Sequence, residues 1–217
     1  MTRLDKIIYY CQIYAIFLIM KKILCFGDSN TYGFNPKDGS RYNINTRWAG
    51  RLKNDCEVTE AGCNNRTAFS DNPAGNNFIG YKILPEYLKQ HFDYIIVQIG
   101  INDLQKTYNV NLTDFEKGMK EFFNIIKYYS PSSKVIILAP CVIRGNILDS
   151  YFKLFFDENS IEKSKLIFPV YKKIAEQNNY SLINLNEITT VSDIDGLHYT
   201  QDQHEIIFNT VKELINL

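Results

Sequence analysis

Short apolar runs alternate along the chain with longer stretches in which apolar residues recur every three or four positions. The runs at 23–26, 56–59, 94–99, 135–139 and 181–184 predict β-strands. Several are apolar throughout, as strands covered on both faces of a parallel sheet must be. The periodic stretches at 48–54, 81–91, 114–129, 161–178 and 203–215 predict helices. In the third, Phe115, Met119, Phe122, Phe123 and Ile126 form one buried stripe, with Thr113 or Asp114 as its cap. This alternation predicts one three-layer αβα domain over residues 21–217, built on a mostly parallel five-stranded sheet. No repeat, low-complexity tract or linker divides it.

Residues 7–19 are largely apolar and lie between Lys6 and Lys21. The stretch is shorter than the roughly 20 residues a membrane helix needs, and no small-residue cleavage site follows it. Lys21 and Lys22 lead directly into the first strand. Residues 1–20 are therefore read as an N-terminal extension, non-native or preceding a start at Met20. A helix packed on the domain and a membrane anchor are the alternatives, in that order.

Composition adds exclusions. Among the 217 residues, 45% are hydrophobic and 22% charged, enough for a substantial core. Lys+Arg and Asp+Glu balance at 24 each, so no net field favours nucleic acid or an acidic membrane, and neither is expected as a partner. The five cysteines (Cys11, Cys25, Cys56, Cys63 and Cys141) include no C-x-x-C pair. They fit buried thiols in a reducing cytoplasm better than a disulfide framework or a metal site. An approach of Cys56 to Cys63 around a strand is the minority alternative.

Ligands of open parallel sheets sit beyond the carboxyl ends of the strands, so polar clusters just after strands hold the candidate chemistry. Gly27-Asp28-Ser29-Asn30-Thr31 follows the first strand and offers a hydroxyl nucleophile beside backbone N–H groups. Gly100-Ile101-Asn102-Asp103 follows the third, and the Asn102 amide can donate to an oxyanion without acidity. Near the C-terminus, Asp195-Gly196-Leu197-His198 spaces a carboxylate three residues from an imidazole that it can orient as a base. Taken singly, these clusters also read as a turn cap, a strand end and a surface loop. The chain has only two other histidines. His91 belongs at the opposite edge of the sheet, and His204 near the start of the last helix has Gln201 three residues before it. Both are expected at the surface.

In this order, the three clusters resemble the SGNH/GDSL hydrolase family, from about Lys21 to the C-terminus. Arg47-Trp48-Ala49-Gly50 and Asn65-Arg66-Thr67 resemble its bacterial arylesterase/acyltransferase branch. The resemblance implies a flavodoxin-like fold, no cofactor or metal, and a small ester substrate with a short acyl group. Ser29 becomes the nucleophile, with His198 its base, Asp195 the orienting acid, and Ser29, Asn65 and Asn102 the oxyanion donors. Asn65 stands where the family usually has glycine. Backbone donation survives that change, and asparagine tolerates positive φ. Asp28 is expected to shape the turn.

Two other readings remain: a catalytically silent carbohydrate-binding or regulatory domain on this fold, and a metal-dependent phosphoesterase using Asp28, Asn102, Asp195 and His198. Tyr151, Phe152, Phe155 and Phe156 offer a lid, a pocket wall or a contact for a homo-oligomer, with core packing the favoured role. Sugar acetates, aryl esters and small alkyl esters all remain open.

Overall fold

The computed structural model describes residues 20–217, so the expected extension lies, except for Met20, outside the described residues. Five parallel strands form one sheet: β1 (Lys22–Gly27), β2 (Glu57–Gly62), β3 (Tyr94–Gln98), β4 (Lys134–Ala139) and β5 (Ser181–Asn184). Their order is β2-β1-β3-β4-β5. Connections reverse direction between β1 and β3, and that reversal opens the crevice where ligands of such sheets bind. The helices are α1 (Ser29–Tyr32), α2 (Trp48–Arg51), α3 (Gly80–Tyr87), α4 (Leu112–Tyr129), α5 (Glu158–Ser164), α6 (Phe168–Asn178), α7 (Leu185–Ile188) and α8 (Gln201–Leu214). Among the described residues no helix is long and apolar enough to cross a membrane.

The three layers follow from side-chain alternation along the strands. Leu24, Phe26, Ile95, Val97 and Ile137 face a core completed by Leu84, Phe115, Met119, Phe122, Ile126 and Tyr171 from α3, α4 and α6. Their neighbours Ile23, Cys25, Ile96, Ile136 and Leu138 face a second core with Trp48, Leu52, Leu185, Ile207 and Val211. Each aliphatic side chain fully buried in this way contributes about 1.5–3 kcal/mol.

Three local expectations are corrected. The helix expected over 161–178 is two helices, because Pro169 lacks an N–H and its ring excludes a helical carbonyl four residues earlier. It is accommodated in the first turn of α6 instead. The cap of α4 is Asn111, not Thr113 or Asp114: its side chain accepts from Asp114 N at 2.9 Å. His204 is not at the surface. It is fully buried on the inner face of α8, between the rings of Tyr42 and Tyr199, and Trp48 N donates to its Nδ1 at 3.4 Å. His91 is exposed, as expected. Cys56 and Cys63 lie at opposite ends of β2 and are free thiols, as are Cys25 and Cys141.

Candidate active site

β1 ends at Gly27, where a Cβ would fall 2.2 Å from both Gln98 O and Thr31 Oγ1, so only glycine lets the chain leave the sheet this tightly. Asp28 then caps the single turn of α1, its Oδ1 accepting from Asn30 N at 2.9 Å. The expected turn-shaping role is thus a helix cap. Ser29 is the first residue of that turn, where backbone N–H groups have no intrahelical acceptor.

The loop before α8 closes on itself, with Ser192 N donating to His198 O at 2.8 Å. Gly196 has φ +72°, and a Cβ there would meet Ile147 N at 2.7 Å and Arg144 O at 2.8 Å. This fold presents Asp195 to His198. Asp195 Oδ2 accepts from His198 Nδ1 at 2.7 Å, while Oδ1 accepts from Ser192 Oγ, Leu197 N and His198 N, each at 3.0 Å. Burial pushes the Asp195 carboxyl up, but the His198 ring and these N–H donors hold it below the ordinary value. An ionised carboxylate keeps the imidazole proton on Nδ1. Nε2 then presents its lone pair to Ser29 Oγ, 2.9 Å away.

Asn65 and Asn102 follow β2 and β3, the strands flanking β1. Asn65 adopts the left-handed conformation, with φ 60°. Asn102 Nδ2 donates to Arg66 O at 3.0 Å. The buried Arg66 guanidinium lies over the Phe26 ring at 4.7 Å, with Nη1 donating to Gly27 O at 3.1 Å and also to Ala61 O. It therefore ties together the ends of β1 and β2. Asp103 joins the loops after β2 and β3, accepting from Ala68 N, Phe69 N and Ser70 N at 2.6, 3.1 and 2.8 Å. Burial raises its carboxyl against those three N–H groups, which favour the ionised form.

Ser29, Asn65, Asn102 and His198 line one cavity of about 150 Å³, and Asp195 sits behind His198. All five expected site residues are therefore brought together. The remaining wall is mostly apolar: Phe34, Phe152, Phe155, Phe156 and Leu197. Phe152 lies 4.9 Å from the His198 ring, centroid to centroid. The aromatic segment does both things expected of it: Phe156 is buried in the core with Phe152 and Phe155 packed against it, and all three line the pocket, while Tyr151 is exposed. Phe34 and Gln105 also line the cavity, and both lie outside the three clusters that follow the strands. Phe34 had a signal available, an aromatic residue five positions after the serine, whereas Gln105 had none.

The ligand set of the phosphoesterase reading does not assemble. Among the described residues no three His, Cys, Asp or Glu side chains group as metal ligands, and Asp28 is buried as the cap of α1. Burial lifts its carboxyl to about 7, opposed by the Asn30 N–H and the charge of Arg66.

Residues 23–211 match the family model described as GDSL-like lipase/acylhydrolase. One solved structure is 32% identical, with TM-score 0.83 over 91% of this chain and 97% of the other. An inhibitor-bound aryl esterase from M. smegmatis is 26% identical, with TM-score 0.81 over 90% and 98% of the two chains. A carbohydrate acetylesterase from Sinorhizobium meliloti is 25% identical, with TM-score 0.78 over 90% and 98%. No curated protein matches the chain significantly.

Proposed function

Because this chain belongs to the GDSL-like lipase/acylhydrolase family and is a carboxylic ester hydrolase, we propose that it cleaves small esters of short acyl groups through an acyl-enzyme on Ser29. The observation that carries this reading is the continuous Asp195–His198–Ser29 hydrogen-bond chain opening into a small apolar cavity. Ser29 Oγ attacks the ester carbonyl while His198 Nε2 takes its proton, and Asp195 stabilises the imidazolium. The Ser29 N–H, the Asn65 N–H and the Asn102 amide hold the oxyanion, each donor supplying about 2.7–4 kcal/mol to the transition state. His198 then protonates the departing alcohol. Water, or a second alcohol, attacks the acyl-enzyme with His198 again as base.

The size of the cavity supports a short acyl group. An enclosed apolar cavity of about 150 Å³ accepts a benzene-sized molecule, so a pocket with that much space beside Ser29 favours short acyl chains over long ones. Aryl esters and sugar acetates, the classes named in the two similar structures, both supply such groups. Among the described residues four cysteines are free thiols, three of them buried, which supports a reducing, cytoplasmic setting.

The test is a panel of chromogenic esters from acetyl to octanoyl, run on wild type and Ser29→Ala, with labelling by an organophosphonate ester. Turnover should be highest for the short esters, and both turnover and labelling should disappear in S29A. Failure of the wild type to label would favour a silent binding domain.

A further inference from the structure

We propose that Gln105 is a positioning residue of the oxyanion site, holding Asn65 and Asn102 in register through one side-chain amide. The inference rests on the proposed roles of Ser29, Asn65 and Asn102. Gln105 is buried one residue past the 3₁₀ turn Ile101–Leu104. Its Nε2 donates to Asn65 Oδ1 at 2.7 Å and to Asn102 Oδ1 at 3.2 Å. A primary amide has two N–H donors, so both are engaged and neither remains for substrate. Gln105 thus borders the cavity but acts through its neighbours.

The bond to Asn102 fixes which way that amide faces. With Oδ1 held by Gln105 and one Nδ2 hydrogen on Arg66 O, only the second Nδ2 hydrogen remains to donate into the cavity. A flipped amide would set its oxygen against Arg66 O and present an acceptor to a developing negative charge. The bond to Asn65 answers a different need. A non-glycine residue at φ 60° requires support, and Asn65 is held twice: by Gln105 at its side chain and by Asn72 Nδ2 at its carbonyl, 2.8 Å away. The side chain that replaces the usual glycine hydrogen therefore becomes the handle by which the backbone donor is held.

The test uses three substitutions at one position. Gln105→Met keeps the volume but removes both donors, and kcat should fall about 10–100-fold with KM changed less than about twofold. In an Asn102→Ala background the same change should lose part of its effect, because one of its two targets is gone. Gln105→Glu turns an acceptor toward two oxygens and should lower kcat further relative to wild type at pH 8, with part of that ratio recovered at pH 5 as the introduced carboxyl gains a proton. Gln105→Lys, which restores a donor, should recover most of the loss seen in Q105M. A pH-independent Q105E defect, or losses in Q105M and N102A that simply multiply, would overturn the inference, and Q105K with Q105E decides it if Q105M does not fold. Activity surviving in S29A would instead refute the nucleophile assignment, so the two failures are distinguishable.

Discussion

The ring of Phe34 lies over the imidazole of His198, centroids 4.2 Å apart and planes inclined by 36°. Phe34 is also edge-on to Phe152 at 5.9 Å, so one side chain both covers the base and closes the pocket. Phe34→Ala should enlarge the cavity and raise the octanoyl-to-acetyl ratio of kcat/KM by about 10-fold or more, the scale of one or two added methylenes in an apolar site. An unchanged ratio across the ester panel would remove Phe34 from the acyl wall.

Ser29, His198 and Asp195 form one hydrogen-bonded unit, so their contributions should not add. Ser29→Ala and His198→Ala should each lower kcat by about 10⁴-fold or more, and the double variant should be little worse than either. Asp195→Asn should cost about 10⁴-fold, because it frees the imidazole to carry its proton on the wrong nitrogen. Steady-state kinetics of the four variants decide the point, and multiplied losses would contradict a shared step.

Asp28 and His204 make opposing contributions to stability against pH. The folded-state pKa of Asp28 rises from 3.8 to about 7, chiefly through burial. Between those values the folded chain holds the extra proton, and stability falls as pH rises. Burial, followed by the charges of His198 and Arg47, lowers His204 from 6.5 to about 3. Over that range the unfolded chain holds the extra proton, and stability rises with pH. Each slope is about 1.4 kcal/mol per pH unit, so they offset one another between about pH 4 and 6.5. Relative to wild type, Asp28→Asn should gain stability as pH rises across this window, and His204→Gln should lose it. Urea midpoints at three pH values are sufficient, and three parallel curves would refute the assignment.

Glu60 anchors the loop that carries Phe34. Its carboxylate accepts from Arg47 Nε at 2.5 Å and Nη2 at 2.9 Å, and it pairs with Arg41 and Lys53, each at 2.9 Å. Burial opposes its ionisation, yet Arg47 and Lys53 bring its pKa down to about 2. The stabilisation is therefore complete above about pH 4.5 and is lost as pH falls toward 2. Glu60→Ala leaves the Arg47 guanidinium buried without its carboxylate and should cost about 3 kcal/mol in denaturant titrations. A loss below 1 kcal/mol would mean that water or Tyr42 O already satisfies Arg47.

The sheet was legible because continuous apolar runs such as 95–97 have few alternatives to a strand covered on both faces. Ser29, Asn102, Asp195 and His198 were legible because each follows such a strand or lies in a loop with few competing residues of its type. Burial was harder to read. The absence of an acid three residues before His204 indicates that this ring lacks the partner His198 has, but not that Tyr42 and Tyr199 enclose it. Gln105 was illegible for a related reason. Its significance lies in contact with Asn65, 40 positions away, and no local period or turn signal encodes that distance. The aromatic run at 151–156 is visible in the sequence, but spacing alone does not say that Phe156 both fills the core and borders the pocket.

Most of the pocket wall and the proposed reacting groups are mounted on different parts of the chain. Ser29, Asn65 and Asn102 stand at the ends of three adjacent strands, whereas Phe152, Phe155 and Phe156 belong to the long connection between β4 and α5. That connection also packs on the loop of Asp195 and His198, Arg144 N donating to Gly196 O at 2.9 Å, so an exchange that selects other acids must keep residues 144–147 and replace only the aromatic segment beyond them.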